Sequence, residues 1–136
     1  MADAKPPLDI TPWFHDLASL KAPVDWTALF GNDHRVEFEV GPGKGLFLAN
    51  AATARPDVNF CGVELARKYA RKAAERVAKK RLTNVRVVAG DARRFLAEFV
   101  PAGSLSAVHV YFPDPWWKKR HKKRRVFTAE LVRDAR

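Results

Sequence analysis

Four acidic residues share one kind of position in this sequence, at or just after the end of a segment that is typical of a β-strand. They are Glu39, Glu64, Asp91 and Asp114. With 15 acidic residues in 136, an acid at all four strand ends has a chance probability of about one in a hundred or less. Carboxylates accept hydrogen bonds from ammonium groups, hydroxyls and amines. The pattern therefore indicates a polar binding site built from the ends of several strands.

A glycine-rich turn follows the first of these acids. Gly41, Gly43 and Gly45 stand in the stretch E-V-G-P-G-K-G, which leads directly into a helix-like segment. Glycines allow a sharp turn and a close approach of ligand to backbone, and a helix N-terminus offers free amide donors. The spacing differs from the dinucleotide motif G-x-G-x-x-G, and no Ser or Thr follows Lys44-Gly45 as a phosphate loop requires. A purely structural turn would account for about a third of such glycine matches.

The acids around this turn differ in the ligand group that each of them could bind. Glu39, two residues before the first glycine, suits an ammonium group, and Glu64 suits a ribose diol as in dinucleotide folds. Asp91 suits an exocyclic amine such as that of adenine. A ligand with an ammonium group, a ribose and an adenine but no phosphate is S-adenosylmethionine, which we predict as the cofactor.

The fourth acid stands in the segment F-P-D-P-W-W-K-K-R-H-K-K-R-R. Prolines on both sides of Asp114 predict a stiff, extended loop, and Trp116 and Trp117 follow it. Seven of the eight residues from Lys118 to Arg125 are Lys or Arg. A basic run considered by itself is a solvated loop or a localisation signal, and not a binding surface, in roughly half of cases. Carboxylate, aromatic rings and cations in this order instead favour a base pocket beside a phosphate-binding surface.

Strand and helix patterns alternate along the chain. This alternation predicts an α/β fold of the Rossmann-like type, a mostly parallel sheet with helices on both faces and a ligand site at the carboxyl ends of the strands. Before the first core strand, Thr11-Pro12 resembles a helix start. The predicted helices are Trp13–Leu20, Asp25–Phe30, Leu46–Arg55, Leu65–Arg81, Ala92–Val100 and Val126–Arg136, and the predicted strands are Val36–Val40, Val58–Val63, Val85–Ala89 and Leu105–Phe112.

Composition sets the class of partner. A net charge of +10 points to a polyanion such as nucleic acid. The single cysteine, Cys61, falls in a predicted strand and is expected to be a buried thiol in a reducing cytoplasm. No pattern indicates a metal site, a signal peptide or a membrane span, so we expect a cytoplasmic protein. The sequence does not indicate the oligomeric state.

The motifs E-V-G-P-G-K-G, G-V-E, G-D-A and F-P-D-P-W-x-K-x-R-H-x-K-R-R together resemble the bacterial tRNA (guanine-N7-)-methyltransferase family. The resemblance covers roughly residues 29–136, and the segment around Asp114 is its most specific part. It implies a class I methyltransferase that uses S-adenosylmethionine to methylate N7 of the variable-loop guanine at position 46 of tRNA.

The resemblance also assigns roles. It makes Glu39, Glu64, Asp91 and Asp114 cofactor-contacting acids, with Asp114 also in the active site. It makes Lys118 a substrate contact, and the RNA-interacting segment comprises Arg120, His121, Lys122, Lys123, Arg124 and Arg125.

Two later motifs of the family, of the T-D-W and T-K-F-E kind, are absent from this sequence. We therefore expect a C-terminally truncated form, with residues 1–33 as an N-terminal arm and cap and residues 34–136 as a partial methyltransferase domain. Two alternatives stay open: a catalytically weak RNA-binding remnant, and a nicotinamide-dependent oxidoreductase supported only by the glycine loop and Glu64.

Overall fold

The computed structural model describes residues 6–111, which form a five-stranded parallel sheet with helices on both faces. The predicted α/β class is therefore confirmed. In chain order the elements are β1 Phe14–Asp16, a 3₁₀ turn Leu17–Ser19, α1 Trp26–Phe30, β2 Val36–Val40, α2 Leu46–Ala54, β3 Asn59–Glu64, α3 Arg67–Lys79, β4 Val85–Ala89, α4 Ala92–Glu98 and β5 Leu105–Val110.

The strands lie in the order β1-β4-β3-β2-β5, and every neighbouring pair is parallel. From β2 the chain first builds the sheet outwards through β3 and β4, and it then returns so that β5 pairs with β2 on the side away from β3. Because the strands are parallel, all carboxyl ends meet at one edge of the sheet. Open α/β sheets bind ligands outside this edge, where the strand order switches.

The sheet has an apolar layer on each face. On one face Phe38 of β2 stacks on Phe95 of α4, with ring centroids 5.6 Å apart, and Phe95 stacks in turn on Phe99. On the other face α2 and α3 lie against β3 and β4 through small side chains. Alanines at the buried positions of α3 allow that helix to lie close to the sheet.

The predicted helix Trp13–Leu20 is wrong. Residues Phe14–Asp16 form β1, which pairs with β4, and only a 3₁₀ turn follows. The Val87 amide donates to the Trp13 carbonyl at 2.8 Å, and the Trp13 indole donates to the Leu82 carbonyl at 2.7 Å. Pairing with the edge of β4 satisfies backbone groups of both strands, so tertiary contact overrides the local capping signal.

The other described elements agree with the predictions to within a few residues. Helix α3 is shorter than the predicted Leu65–Arg81, because Ala66 is its N-cap and Arg81 adopts a left-handed φ of 54° beyond its end. Strand β5 is the last strand at its edge among the described residues. None of the helices in residues 6–111 combines the length and the apolar composition needed to cross a lipid bilayer.

Candidate functional site

The glycine loop joins β2 to α2 at the carboxyl edge of the sheet. Gly41, Gly43 and Gly45 all adopt positive φ, of 63°, 58° and 84°. At Gly45 a Cβ atom would lie 2.9 Å from the Cα of Ala73 in α3. The loop therefore needs glycine there for its backbone conformation and for its close contact with α3.

Glu39 lies beneath this loop, one residue before the end of β2. Its side chain is only 3% exposed, and its Oε1 atom has no hydrogen-bond partner among the described residues. Burial, together with the nearby charge of Glu64, raises the pKa of Glu39 to about 8. A cationic group placed here would satisfy the unpartnered oxygen and stabilise the carboxylate.

Glu64 ends β3 on the other side of the loop. Its Oε1 accepts from the Gly43 amide at 2.8 Å, and its Oε2 accepts from the Ala66 amide at 2.9 Å. The carboxylate thus holds the glycine loop and the start of α3 together. A carboxylate has about four lone-pair positions, so both oxygens keep capacity to accept from a ligand hydroxyl.

Asp91 follows β4 and is the N-cap of α4. Its Oδ1 accepts from the Arg93 amide at 2.9 Å and from the Arg94 amide at 3.5 Å. The preceding Gly90 donates its amide to the Glu64 carbonyl at 3.0 Å, which ties the ends of β3 and β4 together. Glu39, Glu64 and Asp91 therefore stand at one edge of the sheet, on the adjacent strands β2, β3 and β4, as the sequence pattern predicts.

Asp114 and the basic run lie outside the described residues, as do Trp116 and Trp117. Their predicted roles stay predictions. These comprise the catalytic and cofactor roles of Asp114 and the substrate contacts of Lys118, Arg120, His121, Lys122, Lys123, Arg124 and Arg125.

A cleft of about 580 Å³ opens beside the glycine loop. Glu39, Gly41 and Gly43 line it, whereas Glu64 and Asp91 do not. Most of its lining comes from residues that the sequence analysis does not propose as cofactor contacts. These are Pro42, Lys44, Leu46, Phe47, Tyr69, Arg76 and Tyr111.

Aromatic rings form one wall of this cleft. Phe47 of α2 lies 4.7 Å from Tyr111 and 4.9 Å from His109, measured between ring centroids. Tyr69 stands at helical spacing with Ala73 and Val77, which predicts it on the apolar face of α3. In the structure Tyr69 is instead 43% exposed and lines the cleft.

Below the rings, Glu37 of β2 holds three elements together. Arg55 donates to both of its carboxylate oxygens at 2.8 Å, and His109 of β5 lies 2.7 Å from Oε1. Burial opposes ionisation, yet the hydrogen bonds from Arg55 and His109 lower the pKa of Glu37 below its usual value. The alternation V-E-F-E-V places Glu37 and Glu39 on one face of β2, which is a signal for charged partners there.

A family model described as "Putative methyltransferase" matches residues 33–136. The chain belongs to this methyltransferase family. The resemblance that the sequence motifs carry is thereby confirmed at the level of the family. Among the described residues of this methyltransferase, no group of three or more His, Cys, Asp or Glu side chains could hold a metal ion.

Curated relatives carry a more specific name. A tRNA (guanine-N(7)-)-methyltransferase of Rhodopirellula baltica is 48% identical over 132 residues, which cover 93% of this chain and 49% of the relative. One of Geobacter metallireducens is 41% identical over 122 residues, which cover 90% of this chain and 58% of the relative. The chain thus spans about half the length of these curated relatives.

A solved antibiotic-related methyltransferase has the same fold. It superposes with a TM-score of 0.61 over 85% of this chain and 61% of its own, at 17% sequence identity. At that identity the likeness concerns the architecture alone, and it agrees with a class I methyltransferase sheet.

Proposed function

We propose that this protein transfers the methyl group of S-adenosylmethionine to N7 of guanine in tRNA. The observation that carries the proposal is the buried, unpartnered carboxyl oxygen of Glu39 beside the glycine loop. The names of the curated relatives support the same reaction and the same substrate.

The described residues fit this cofactor. Glu39 would receive the ammonium group of its methionine part, with the loop glycines Gly41, Gly43 and Gly45 leaving room for close approach. Glu64 would accept from the ribose hydroxyls with its remaining lone pairs. Asp91 would accept from the adenine amine. When bound, S-adenosylmethionine supplies an electrophilic methyl group on a sulfonium.

Methylation of guanine N7 requires little acid–base catalysis. N7 of guanine carries an in-plane lone pair, so attack needs no general base, and the product ring becomes cationic. Positioning and electrostatics then dominate the rate. We propose Asp114 as the residue that orients the reacting groups and stabilises the developing positive charge.

We infer the contacts with tRNA from the positive charge of the segment 118–125. We propose that Lys118 contacts the guanine O6 side or a phosphate, and that Arg120–Arg125 binds the tRNA backbone. Residues 34–136 would form the cofactor-binding part, with residues 1–33 as an arm that also contributes β1. We propose a cytoplasmic location, where tRNA is available.

The deciding experiment measures transfer of a labelled methyl group to unmodified tRNA. The 136-residue chain should label guanine N7, and Asp114→Asn should lower kcat by about a hundredfold or more, because it removes the charge at the reacting centre. Asp33→Asn is the matched control, since Asp33 is exposed at the opposite edge of the sheet, just before β2.

Three outcomes separate the alternatives. Label confined to guanine N7 and abolished in Asp114→Asn supports the enzyme. Salt-sensitive tRNA binding without any label supports the RNA-binding remnant instead. Binding of a nicotinamide dinucleotide, with no binding of S-adenosylhomocysteine, would support the oxidoreductase.

A further inference from the structure

Helix α3 carries a stripe of positive side chains that the site chemistry above does not use. Lys68, Lys72, Arg76 and Lys79 follow one another at spacings of four, four and three residues. At 3.6 residues per turn these positions lie on one face of the helix. The alanines and Val77, which pack on the sheet, lie on another face.

The charge of this stripe is not neutralised locally. Lys68, Lys72 and Lys79 are exposed, and within residues 6–111 none of their side-chain ammonium groups forms an ion pair or a hydrogen bond. Glu75, the one acid of α3, forms no ion pair with them. By contrast Arg67, on the other side of the helix, is paired with Asp16 of β1.

The stripe is joined to the candidate site. Arg76 lines the cleft and donates through Nε to the Lys44 carbonyl of the glycine loop at 2.9 Å. Tyr69, three residues before Lys72, lines the cleft too, and the Lys44 ammonium lies 5.9 Å from its ring centre. The positive face therefore continues into the wall of the cleft that contains Glu39.

We propose that this stripe is a second phosphate-binding surface for tRNA, which guides the RNA backbone along α3 and past Tyr69 to the rim of the cleft. From Lys68 to Lys79 it runs about 16 Å along the helix axis, at about 1.5 Å per residue, which is long enough for more than one phosphate. Unpaired lysines beside exposed aromatic rings are the chemistry that binds a nucleic-acid backbone and its bases.

This inference rests on the proposed function, because the polyanion is identified through the proposed substrate. Its residues are different from those of the predicted basic run at 118–125. The stripe is connected to the glycine loop through the Arg76–Lys44 hydrogen bond and through the close packing of Gly45 on Ala73.

The test measures the affinity of the 136-residue chain for unmodified tRNA across a series of salt concentrations. The variant Lys68→Gln/Lys72→Gln should lower the slope of log K against log salt by about 0.7–0.9 for each phosphate that it no longer binds. It should also weaken binding about tenfold or more near about 0.1 M salt. The KM for tRNA should rise while kcat and the affinity for S-adenosylhomocysteine stay unchanged.

The control is Lys21→Gln/Arg94→Gln, which removes two exposed positive charges outside α3, one in the loop before α1 and one on α4. It should leave the slope unchanged. If the two variants have the same slope, the stripe is only a solvated face and the inference is overturned. If in addition the wild-type chain methylates guanine N7, the proposed function stands without it.

Two further results would also overturn the inference. A wild-type chain that neither binds nor methylates tRNA removes the proposed function and the surface together. Lysine-dependent binding to vesicles of anionic phospholipid, with a tRNA slope that the lysines do not change, would assign the stripe to a membrane surface instead.

Discussion

At the scale of single residues, Glu39 is a carboxyl group in surroundings that disfavour its charged form. Its carboxyl is buried beside a second carboxyl and has an unpartnered oxygen. Such a group is costly to keep charged in the free protein. The same cost makes Glu39 selective for cationic ligands. A bound cation compensates the buried negative charge, whereas a neutral ligand does not.

This environment predicts how stability depends on pH. Glu39 has its usual pKa of 4.5 in the unfolded chain and a pKa of about 8 in the folded protein. Between these values the folded state binds more protons, so its contribution to the free energy of unfolding is present at low pH and is lost as pH rises towards 8. Glu39→Gln should abolish this loss, and urea unfolding of the ligand-free proteins at about pH 5.5 and about pH 8.5 measures it.

Glu98→Gln is the control for this experiment, because Glu98 is exposed on α4 and pairs only with Arg94 in the described structure. It should keep the wild-type pH profile. Parallel profiles for wild type and Glu39→Gln would contradict the assignment. A second readout is calorimetric: S-adenosylhomocysteine should bind the wild type more tightly as Glu39 ionises, and bind Glu39→Gln with little pH dependence.

At the scale of elements, the loop between β2 and α2 is held from two sides. Glu64 accepts the Gly43 amide at the end of β3, while Arg76 of α3 donates to the Lys44 carbonyl. Gly45 closes the contact with α3, where even a methyl group would meet Ala73. The conformation of the loop is therefore set by its neighbours and not by the loop residues alone.

Gly45→Ala should therefore destabilise the protein and weaken cofactor binding. The left-handed φ of 84° costs about 1–2 kcal/mol for a residue with a Cβ, and the clash with Ala73 adds about 1–3 kcal/mol. Urea unfolding measures the loss. Gly31→Ala is the matched control, with a φ of 77° but no atom within 4 Å of the added Cβ, so only the conformational part should remain. Equal losses in the two variants would contradict the packing argument.

At the scale of the whole molecule, the first and the last described strands form the two opposite edges of the sheet. Strand β1 covers the edge of β4, and β5 pairs with β2 at the other side. Ile10 and Leu17, which flank β1, belong to the apolar clusters on opposite faces of the sheet. Residues Phe14–Asp16 are thus an integral part of the sheet.

Removing residues 1–20 should destabilise the fold by about 3 kcal/mol or more, because it exposes the apolar surface covered by Ile10 and Leu17. It should also promote aggregation through the open edge of β4. Thermal unfolding and light scattering measure the two effects. Removing only residues 1–8 is the control, since residues 6–8 are exposed. If both truncations behave alike, β1 contributes nothing to stability.

The sequence by itself determined the features that depend on local pattern. Alternation of strands and helices determined the α/β class. The positions of Glu39, Glu64 and Asp91 at or just after the ends of their strands determined that they share one edge of the sheet. The glycine loop could be predicted from the sequence because glycine alone adopts positive φ values without steric cost. Each of these follows from neighbouring residues or from the period of an element.

Tertiary structure alone decided the features that depend on residues far apart in the chain. Residues Phe14–Asp16 became a strand because β4, which is distant in sequence, offered an open edge. Glu37 of β2 contacts His109 of the neighbouring strand β5. Tyr69 lines the cleft together with residues of the glycine loop. Local propensities differ by about a few tenths of a kcal/mol per residue, so pairing and burial across the sheet outweigh them wherever the two disagree.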